Sequence, residues 1–418
     1  MASRVDQPTP WGAHSEVGRL RRAMVCRPGR AQLRMKSRQH GSISGDGVLW
    51  VERAEQEHAQ LVATLRERGV EVLELHTLLA QALASPEARQ WAIAQRLGRA
   101  APGWSLQTEL QAALADLPPD QLADILIGGL TRDELPWHPS ANVLAYLEMS
   151  EYVLAPLPES IWARDSSAWV HHGLALCPMA ALDRRAETAL AATVTRFHPR
   201  FAVAAFPLWL GEQPTPSGAA TLDGSDVMPL GDGAVLMGLS QRTSPDAVLQ
   251  LAQALFGGGA AKVVVAAQLP NSHAARPLDA WFTPCSREVV TYCPEAVDHM
   301  TCHEIRPAPQ GAGVVLRTHP GKHLLDVLSE VLQVPTLNAI ASGGEAQGAR
   351  TSQWDAGNNL LALEPGVVLG FERNASTHRQ LRQAGIDVIE IPGAELGRSG
   401  RGPHGLVCPL ARDAVRYL

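Results

Sequence analysis

The chain has no CxxC pair. Its six cysteines (Cys26, Cys177, Cys285, Cys293, Cys302 and Cys408) are scattered, which excludes a paired zinc or redox motif and predicts reduced, mostly buried thiols. Long apolar runs are missing too: none approaches the about 18–20 residues that a bilayer-spanning helix needs. The opening stretch, MASRVDQPTPWGAH, has no signal-like apolar core, so the expectation is a soluble, cytoplasmic protein with no membrane partner. No basic run stands out and the formal net charge is −6, which removes nucleic acid as an expected partner. A P-loop and a dinucleotide fingerprint are both absent. Thr301-Cys302-His303-Glu304 has metal-compatible residue types, but adjacent ligands cannot all face one ion. No metal and no cofactor are expected.

What is present is an ordinary globular composition, 45% hydrophobic and 19% charged over 418 residues. That length suits one large α/β unit with an insertion, or two domains. A short apolar strand, Ala23–Cys26, is closed by Pro28-Gly29, and Arg30–Asp46 is polar and Gly/Ser-rich, as a mobile loop would be. Val48–Gly69 has helical periodicity, with Val51, Ala54, His58, Leu61, Val62 and Leu65 on one side, and a strand follows at Val70–Leu75. From His76 to about Leu147 the composition shifts to Ala, Leu and Gln. Helical stretches near Leu78–Leu83, Pro86–Leu97, Leu106–Leu117 and Pro119–Leu130 read as an inserted all-helical domain.

Beyond Tyr152 a strand–helix–strand unit recurs. Gly173–Met179 leads to a helix at Ala186–Phe197 and a strand at Phe201–Phe206. Gly233–Leu239 leads to a helix at Asp246–Phe256 and a strand at Lys262–Ala266. Gly366–Phe371 leads to a helix at Thr377–Ala384 and a strand at Val388–Ile391. A weaker copy begins at Arg287, and the N-terminal strand, helix and strand supply another. Such units cannot bury their apolar faces alone, so about five of them predict an α/β ring with loops converging on an axis. The expected division is 1–75 and 149–418 for the ring and 76–148 for the helical insertion.

Polar clusters follow or precede these strands as pocket residues do. Trp162-Ala163-Arg164-Asp165 places an acid near a tryptophan, Asp223-Gly224-Ser225-Asp226 sets two carboxylates around a turn, Asp279 precedes Trp281, and Gln353–Asn359 opens a repeat. Singly, each reads as a turn or cap residue. Together, carboxylates with a neighbouring aromatic suit a planar cation such as guanidinium. The C-terminal loop Glu395–Pro409, ELGRSGRGPHGLVCP, adds Arg398, Arg401 and His404 among the glycines Gly397, Gly400, Gly402 and Gly405. Those glycines let the backbone approach a ligand closely.

These motifs resemble those of the arginine deiminase family. The resemblance runs almost end to end, through SEVGRLRRAMVCRPG, LPESIWARDSSAW, LCPMAALDRRAET, TLDGSDVMPLGDG, GLSQRTS, RPLDAWFT, SQWDAGNNLLALEPGVV and the terminal loop. It implies a pentein fold: a five-bladed α/β propeller with a helical domain inserted after the first blade. It also implies a small guanidino substrate, arginine, converted to citrulline through a cysteine thiolate. By motif, Asp165 and Asp279 fall on the guanidinium-holding acids and Asp223 and Asp226 on a further acid pair. Arg184 or Arg185, Arg242 and one arginine of the terminal glycine loop resemble the arginines that bind the substrate carboxylate, with Arg401 displaced by one place from the family's pattern.

Several positions depart from that pattern. Gly405 stands where the family has its nucleophilic cysteine, and Pro277 where it has its histidine acid/base. Glu159 replaces an asparagine, Asp223 shortens a glutamate, and Gly45-Asp46-Gly47 replaces the start of a substrate-covering loop. Glycine brings no nucleophile and proline no ring nitrogen to move protons, so the covalent route to citrulline is not expected. Cys408 matches a second family cysteine and reads as a packing thiol. Two functions follow. One is binding of arginine or a related guanidino compound at Trp162, Glu159, the arginines and His404, with Asp165, Asp223, Asp226 and Asp279 acting as acid and base in hydrolysis, elimination or cyclisation. The other is a pseudoenzyme that senses a ligand or binds a partner. Either could operate in a homo-oligomer.

Overall fold

The computed structural model describes residues 11–34, 49–98, 104–135, 152–211, 220–271, 273, 275–309, 313–342 and 357–417, without the side chains of 104–106. Gly45-Asp46-Gly47, Gln353–Ala356 and the expected 148/149 boundary lie outside these residues.

One pairing pattern recurs in five of the sheets among the described residues: an antiparallel pair, one strand of which gains a parallel neighbour after a helix. In the first unit, Leu20–Val25 runs antiparallel to Cys408–Arg412 and parallel to Glu71–Glu74, across the helix Val51–Glu67. The second pairs Ser167–Val170 with Gly173–Leu176, crosses through Arg185–Phe197 and adds Leu208–Leu210. The third uses Val227–Gly231, Ala234–Leu239, the helix Pro245–Gly257 and Val263–Gln268. The fourth uses Phe282–Pro284, Val289–Tyr292, the helix Leu324–Leu332 and Asn338–Ala341. The fifth uses Leu361–Glu364, Val367–Phe371, the helix Ala375–Gln383 and Asp387–Ile391. A parallel pair needs a long crossover, and the amphipathic helix supplies it while covering the sheet. The reading of Val51, Ala54, His58, Leu61, Val62 and Leu65 as one face holds, since all six are buried.

Some features differ from the sequence reading. Arg30–Leu33, read as part of a loop, is a short helix whose start is fixed by the Gln32 side chain accepting the Gly29 N–H at 2.8 Å. Leu130–Thr131, inside the expected all-helical insertion, is a strand paired antiparallel with Tyr152–Leu154. Phe201–Phe206 is not a strand: Pro199 opens a short helix, Pro199–Ala202, whose Arg200 N–H is accepted by the His198 ring at 3.2 Å. Proline at a first helical position together with such a cap outweighs the local apolar pattern. The parallel strand comes later, at Leu208–Leu210. The fourth unit also carries an extra hairpin, Thr301–Pro307 and Val314–His319, which extends the third sheet by pairing antiparallel with Val263–Gln268. On that strand Cys302 is buried, His303 faces Thr318, and Glu304 pairs with Arg306 and His319.

The helices Leu75–Ala82, Pro86–Leu97, Trp104–Ala115 and Pro119–Gly128 follow the first unit. They bury Leu78, Leu79, Ile93, Leu97, Leu110, Leu114, Leu122 and Leu126 in one cluster shared with Leu190 and Val194. At roughly 1.5–3 kcal/mol per fully buried aliphatic side chain, this contact alone outweighs any local helix propensity. No helix among the described residues is long and apolar enough to cross a membrane.

The first sheet positions the C-terminal loop. Its last-in-sequence strand, Cys408–Arg412, lies between Gly12–Ala13 and Leu20–Val25. The N-terminal segment around Glu16 is thereby fixed beside the terminal loop. Elsewhere, a tight contact locks two turns together: a Cβ on Gly224 would sit 2.1 Å from the Arg164 carbonyl oxygen. Gly224→Ala is therefore expected to lower stability by about 2 kcal/mol or more in urea unfolding. Gly257→Ala, where nothing lies within 4 Å of the added carbon, should leave the midpoint unchanged or raise it. Equal midpoints for the two variants would contradict this packing.

Candidate active site

Each unit contributes through the segment that enters its first strand. Asp165 lies in the turn before Ser167–Val170, and its N–H donates to the Trp162 carbonyl at 3.0 Å. Asp223 and Asp226 flank a single 3-10 turn, Gly224–Asp226, which runs straight into Val227–Gly231. The Asp223 carboxylate caps that turn by accepting the Ser225 N–H at 2.9 Å. Asp279 sits in the 3-10 turn Leu278–Ala280, before Phe282–Pro284. Asn359 precedes Leu361–Glu364, and His404 and Gly405 sit in the short helix Pro403–Leu406, before Cys408–Arg412. The same topological position in each repeat thus feeds one buried polar centre. Asp165, Asp223, Asp226, Asp279 and Asn359 are all fully buried.

The middle of that centre is occupied by the chain itself. Arg401 donates through Nη1 to Asp165 Oδ2 at 2.7 Å and through Nη2 to Asp165 Oδ1 at 2.6 Å, a bidentate pair. Nη2 also donates to Ser225 Oγ at 2.9 Å, and that hydroxyl in turn donates to Asp165 at 2.7 Å. The guanidinium lies over the Trp162 ring, 4.4 Å from its centroid. A carboxylate at the edge and an indole on the face is the arrangement expected from the sequence for a ligand's guanidinium. Here it holds Arg401. Burial would raise the Asp165 carboxyl, but Arg401 and Arg184 beside it hold it well below the usual carboxylate range. Burial likewise opposes the Arg401 charge, and Asp165 more than restores it.

Gly405 makes this possible. A Cβ there would lie 2.7 Å from Arg401 Nη2 and 3.1 Å from its Cζ. Any side chain at 405 would therefore push the guanidinium aside. The loop is fixed by Asn359, whose Oδ1 accepts the N–H groups of Gly402 at 2.9 Å and Gly405 at 3.2 Å. Arg398, by contrast, pairs with Glu395 at the surface, away from the acids.

The other acids are also matched internally. Asp279 meets His404 Nδ1 at 2.9 Å, and the opposite ring nitrogen meets Glu16 at 3.0 Å. Arg164 pairs with the other Glu16 oxygen. Despite burial, Arg164 and His404 pull the Glu16 carboxyl down to about 2, and His404 and Arg401 lower Asp279. Asp226 accepts from the Leu278 N–H at 2.7 Å, Ser240 at 2.8 Å and Thr243 at 2.6 Å. Pro277 caps the Leu278–Ala280 turn through its backbone and offers no polar side chain. Burial and the nearby Asp223 charge push Asp226 up to about 7. Burial and the Asp165 charge raise Asp223, which Arg242 meets at 3.0 Å.

Beside the centre opens a cavity of about 270 Å³, lined by Glu159, Asp183, Arg184, Glu187, Asp223 and Arg242 together with apolar residues such as Met179 and Leu157. Arg184 bridges Asp165 at 3.0 Å and Glu187 at 2.8 Å. Burial drives the Glu187 carboxyl up to about 7 against the pull of Arg184. Arg185 points elsewhere, donating to the Met179 carbonyl. Of the two sequence candidates, Arg184 is the one at the cavity. Cys408 is buried against Ser167, its thiol pushed up to about 11. Sequence reasoning gave no role to Glu16, Arg164, Glu187, Ser225 or Asn359. All five do sit inside the quoted motifs: Glu16 in SEVGRL, Arg164 in IWARD, Glu187 in DRRAET, Ser225 in LDGSD and Asn359 in AGNN.

A buried guanidinium gripped by a carboxylate against tryptophan thus sits at the convergence point of a mixed α/β fold of repeated units. A family model described as arginine deiminase matches residues 45–412, and the chain belongs to that family. Solved structures agree on the fold at low identity. SxtG, an amidinotransferase from Microseira wollei, is 13% identical with a TM-score of 0.57, covering 98% of this chain and 100% of its own. DDAH from Pseudomonas aeruginosa, a cysteine-to-serine variant complexed with citrulline, is 14% identical with a TM-score of 0.52, covering 93% of this chain and 99% of its own. A cysteine-to-alanine variant of AgrE with L-arginine is 14% identical with a TM-score of 0.53, and the match covers 96% of this chain and 42% of AgrE.

The raised carboxyls give the site a pH signature. A folded-state value near 7 for Asp226, above the usual value near 3.9, means the folded protein holds an extra proton between those limits. Stability is then full below about pH 4 and declines as pH rises towards 7. Asp226→Asn is expected to flatten that decline between about pH 4 and 7, as measured by urea unfolding at each pH. A slope identical to that of the unsubstituted protein would contradict it.

Proposed function

We propose that the protein is a non-deiminating member of its family that binds a small amine- or guanidino-bearing ligand in the cavity beside Asp165. One observation carries the reading: Arg401 fills the guanidinium slot between Asp165 and Trp162, in the space left open by Gly405. A ligand guanidinium would have to displace a bidentate, stacked and buried ion pair to enter. No thiol waits there for it. Among the groups lining the cavity, Arg184 and Arg242 are already paired with acids, whereas Glu159 makes no side-chain hydrogen bond or ion pair among the described residues. Glu159 therefore selects a cationic end of the ligand.

In this reading the five sheets are blades of an α/β propeller, and residues 76–148 form its inserted helical domain. Asp165, Asp223, Asp226 and Asp279 hold the pocket's framework, Trp162 and His404 shape it, and Arg184 and Arg242 flank the ligand. The protein works in the cytoplasm without a cofactor, as a sensor or partner-binding pseudoenzyme. A second reading, hydrolysis, elimination or cyclisation by carboxylates, is favoured by Glu187. Its carboxyl lies at the cavity wall with a value near 7, where an acid/base group works best.

The test combines turnover and binding. Incubation with arginine is expected to yield no citrulline. Calorimetric titration with agmatine is expected to show binding that weakens at least tenfold, about 1.4 kcal/mol, in Glu159→Gln. Citrulline formation by the unsubstituted protein, or agmatine affinity indifferent to Glu159→Gln, would overturn the proposal. Consumption of agmatine without its ureido deimination product, N-carbamoylputrescine, and abolished in Glu187→Gln, would favour the second reading.

A further inference from the structure

A larger cleft lies away from this centre, between the helix Val51–Glu67 of the first unit and the helix Pro119–Gly128 of the helical segment. Its volume is about 580 Å³, within the range of small-molecule sites, and it is lined by Arg27, Arg30, Gln32, Glu55, His58, Arg66, Glu74, His76 and Asp124 among others. The lining of its floor is unusual in being polar and unmatched. His58 is 4% exposed, yet its Nε2 has no hydrogen-bond partner, and the same holds for His76 Nδ1 and Glu74 Oε2. Buried polar atoms left unpaired are costly, and a built-in shortage of partners at a cavity wall marks a place where a ligand or water completes them.

The charges give the ligand's sign. Arg27 and Arg66 make no side-chain hydrogen bond or ion pair among the described residues, whereas Arg30 is taken up by Glu134. Arg27 lies close enough to act electrostatically on His58, His76 and Glu74 together. Burial, with that arginine, brings both imidazoles down to about 4, so near neutral pH each is uncharged and can donate one N–H. Burial raises the Glu74 carboxyl as well, against the pull of Arg27 and Arg66. The remaining acids, Glu55 and Asp124, are exposed at the rim. They are solvated and would repel an extended polyanion, which limits the occupant to a small molecule.

We propose that this cleft is a second binding site, separate from the Asp165 centre, for a small metabolite with an oxyanionic head, carboxylate or phosphate. The head sits between the Arg27 and Arg66 guanidinia, which match planar and tetrahedral oxyanions with paired N–H groups. The unpartnered His58 and His76 nitrogens supply the floor. Because the cleft joins the first unit to the helical segment, an occupant would also tie those two parts together, and binding to the folded state alone raises stability by mass action.

Inorganic phosphate and succinate serve as the two probes, titrated calorimetrically and by thermal unfolding into the full chain with sodium chloride held constant. Saturable binding of at least one is expected, with the tighter probe identifying the head group. Affinity should fall at least tenfold in the surface double variant Arg27→Ala/Arg66→Ala and stay unchanged in Glu159→Gln, whose side chain lines the other cavity. Absence of saturable binding by both probes would overturn the proposal. So would affinity unaltered in the double variant, or affinity lost in Glu159→Gln.

Discussion

The structure depends on one ion pair, Arg401 with Asp165. Both partners are buried, and taking two charges out of water is expensive unless geometry and extra hydrogen bonds repay it. The repayment is visible: two parallel N–H···O contacts of 2.6 and 2.7 Å, the Ser225 hydroxyl donating to Asp165, a second cation in Arg184, and the Trp162 ring beneath the guanidinium. Removing Asp165 would leave the buried Arg401 charge without its carboxylate, whereas Asp165 would keep Arg184 and Ser225 if Arg401 were lost. The loop from Glu395 to Leu406, the turn at Asp165 and the Gly224–Asp226 turn are therefore held as one assembly by electrostatics in a dry interior.

That assembly follows from the repeat. The segment entering the first strand of each unit points to the same place, so carboxylates from three units and the amide of Asn359 from a fourth converge without any long-range design of individual loops. Pairing of the last strand with Leu20–Val25 then brings His404 and Glu16 together, and His404 bridges Glu16 to Asp279. In such a centre each acid already has an internal partner. Asp165, expected from the sequence to grip an incoming guanidinium, here grips the chain's own.

Much of the fold was legible from local signals. The face Val51–Leu65, the glycine-led hairpins and the strand–helix–strand spacing are consequences of periodicity and turn chemistry within a few residues. The misread stretch, Phe201–Phe206, shows the limit: apolar composition pointed to a strand, while Pro199 and the His198 cap decided for a helix. The hairpin Thr301–His319 was missed because its place is set by a neighbouring sheet. At the site, the acids, Trp162 and the anomalies Gly405 and Pro277 could be picked out one by one. What could not be seen was who binds whom. Arg401 meets Asp165 across 236 residues and His404 meets Glu16 across 388, separations at which no sequence pattern specifies a contact. The consequence of Gly405 also changed with the structure, from a missing nucleophile to room for a guanidinium.

The most direct measurement of this account replaces the internal cation with a free one. In Arg401→Ala the slot between Asp165 and Trp162 is left empty, and ethylguanidinium can be titrated into it by calorimetry alongside thermal unfolding. The account predicts that the variant is less stable than the unsubstituted protein, binds ethylguanidinium saturably and regains part of the lost stability, while the unsubstituted protein, whose slot is filled, binds it at least tenfold more weakly. Equal ethylguanidinium affinity in both proteins, or none in the variant, would contradict the claim that Arg401 occupies the guanidinium slot.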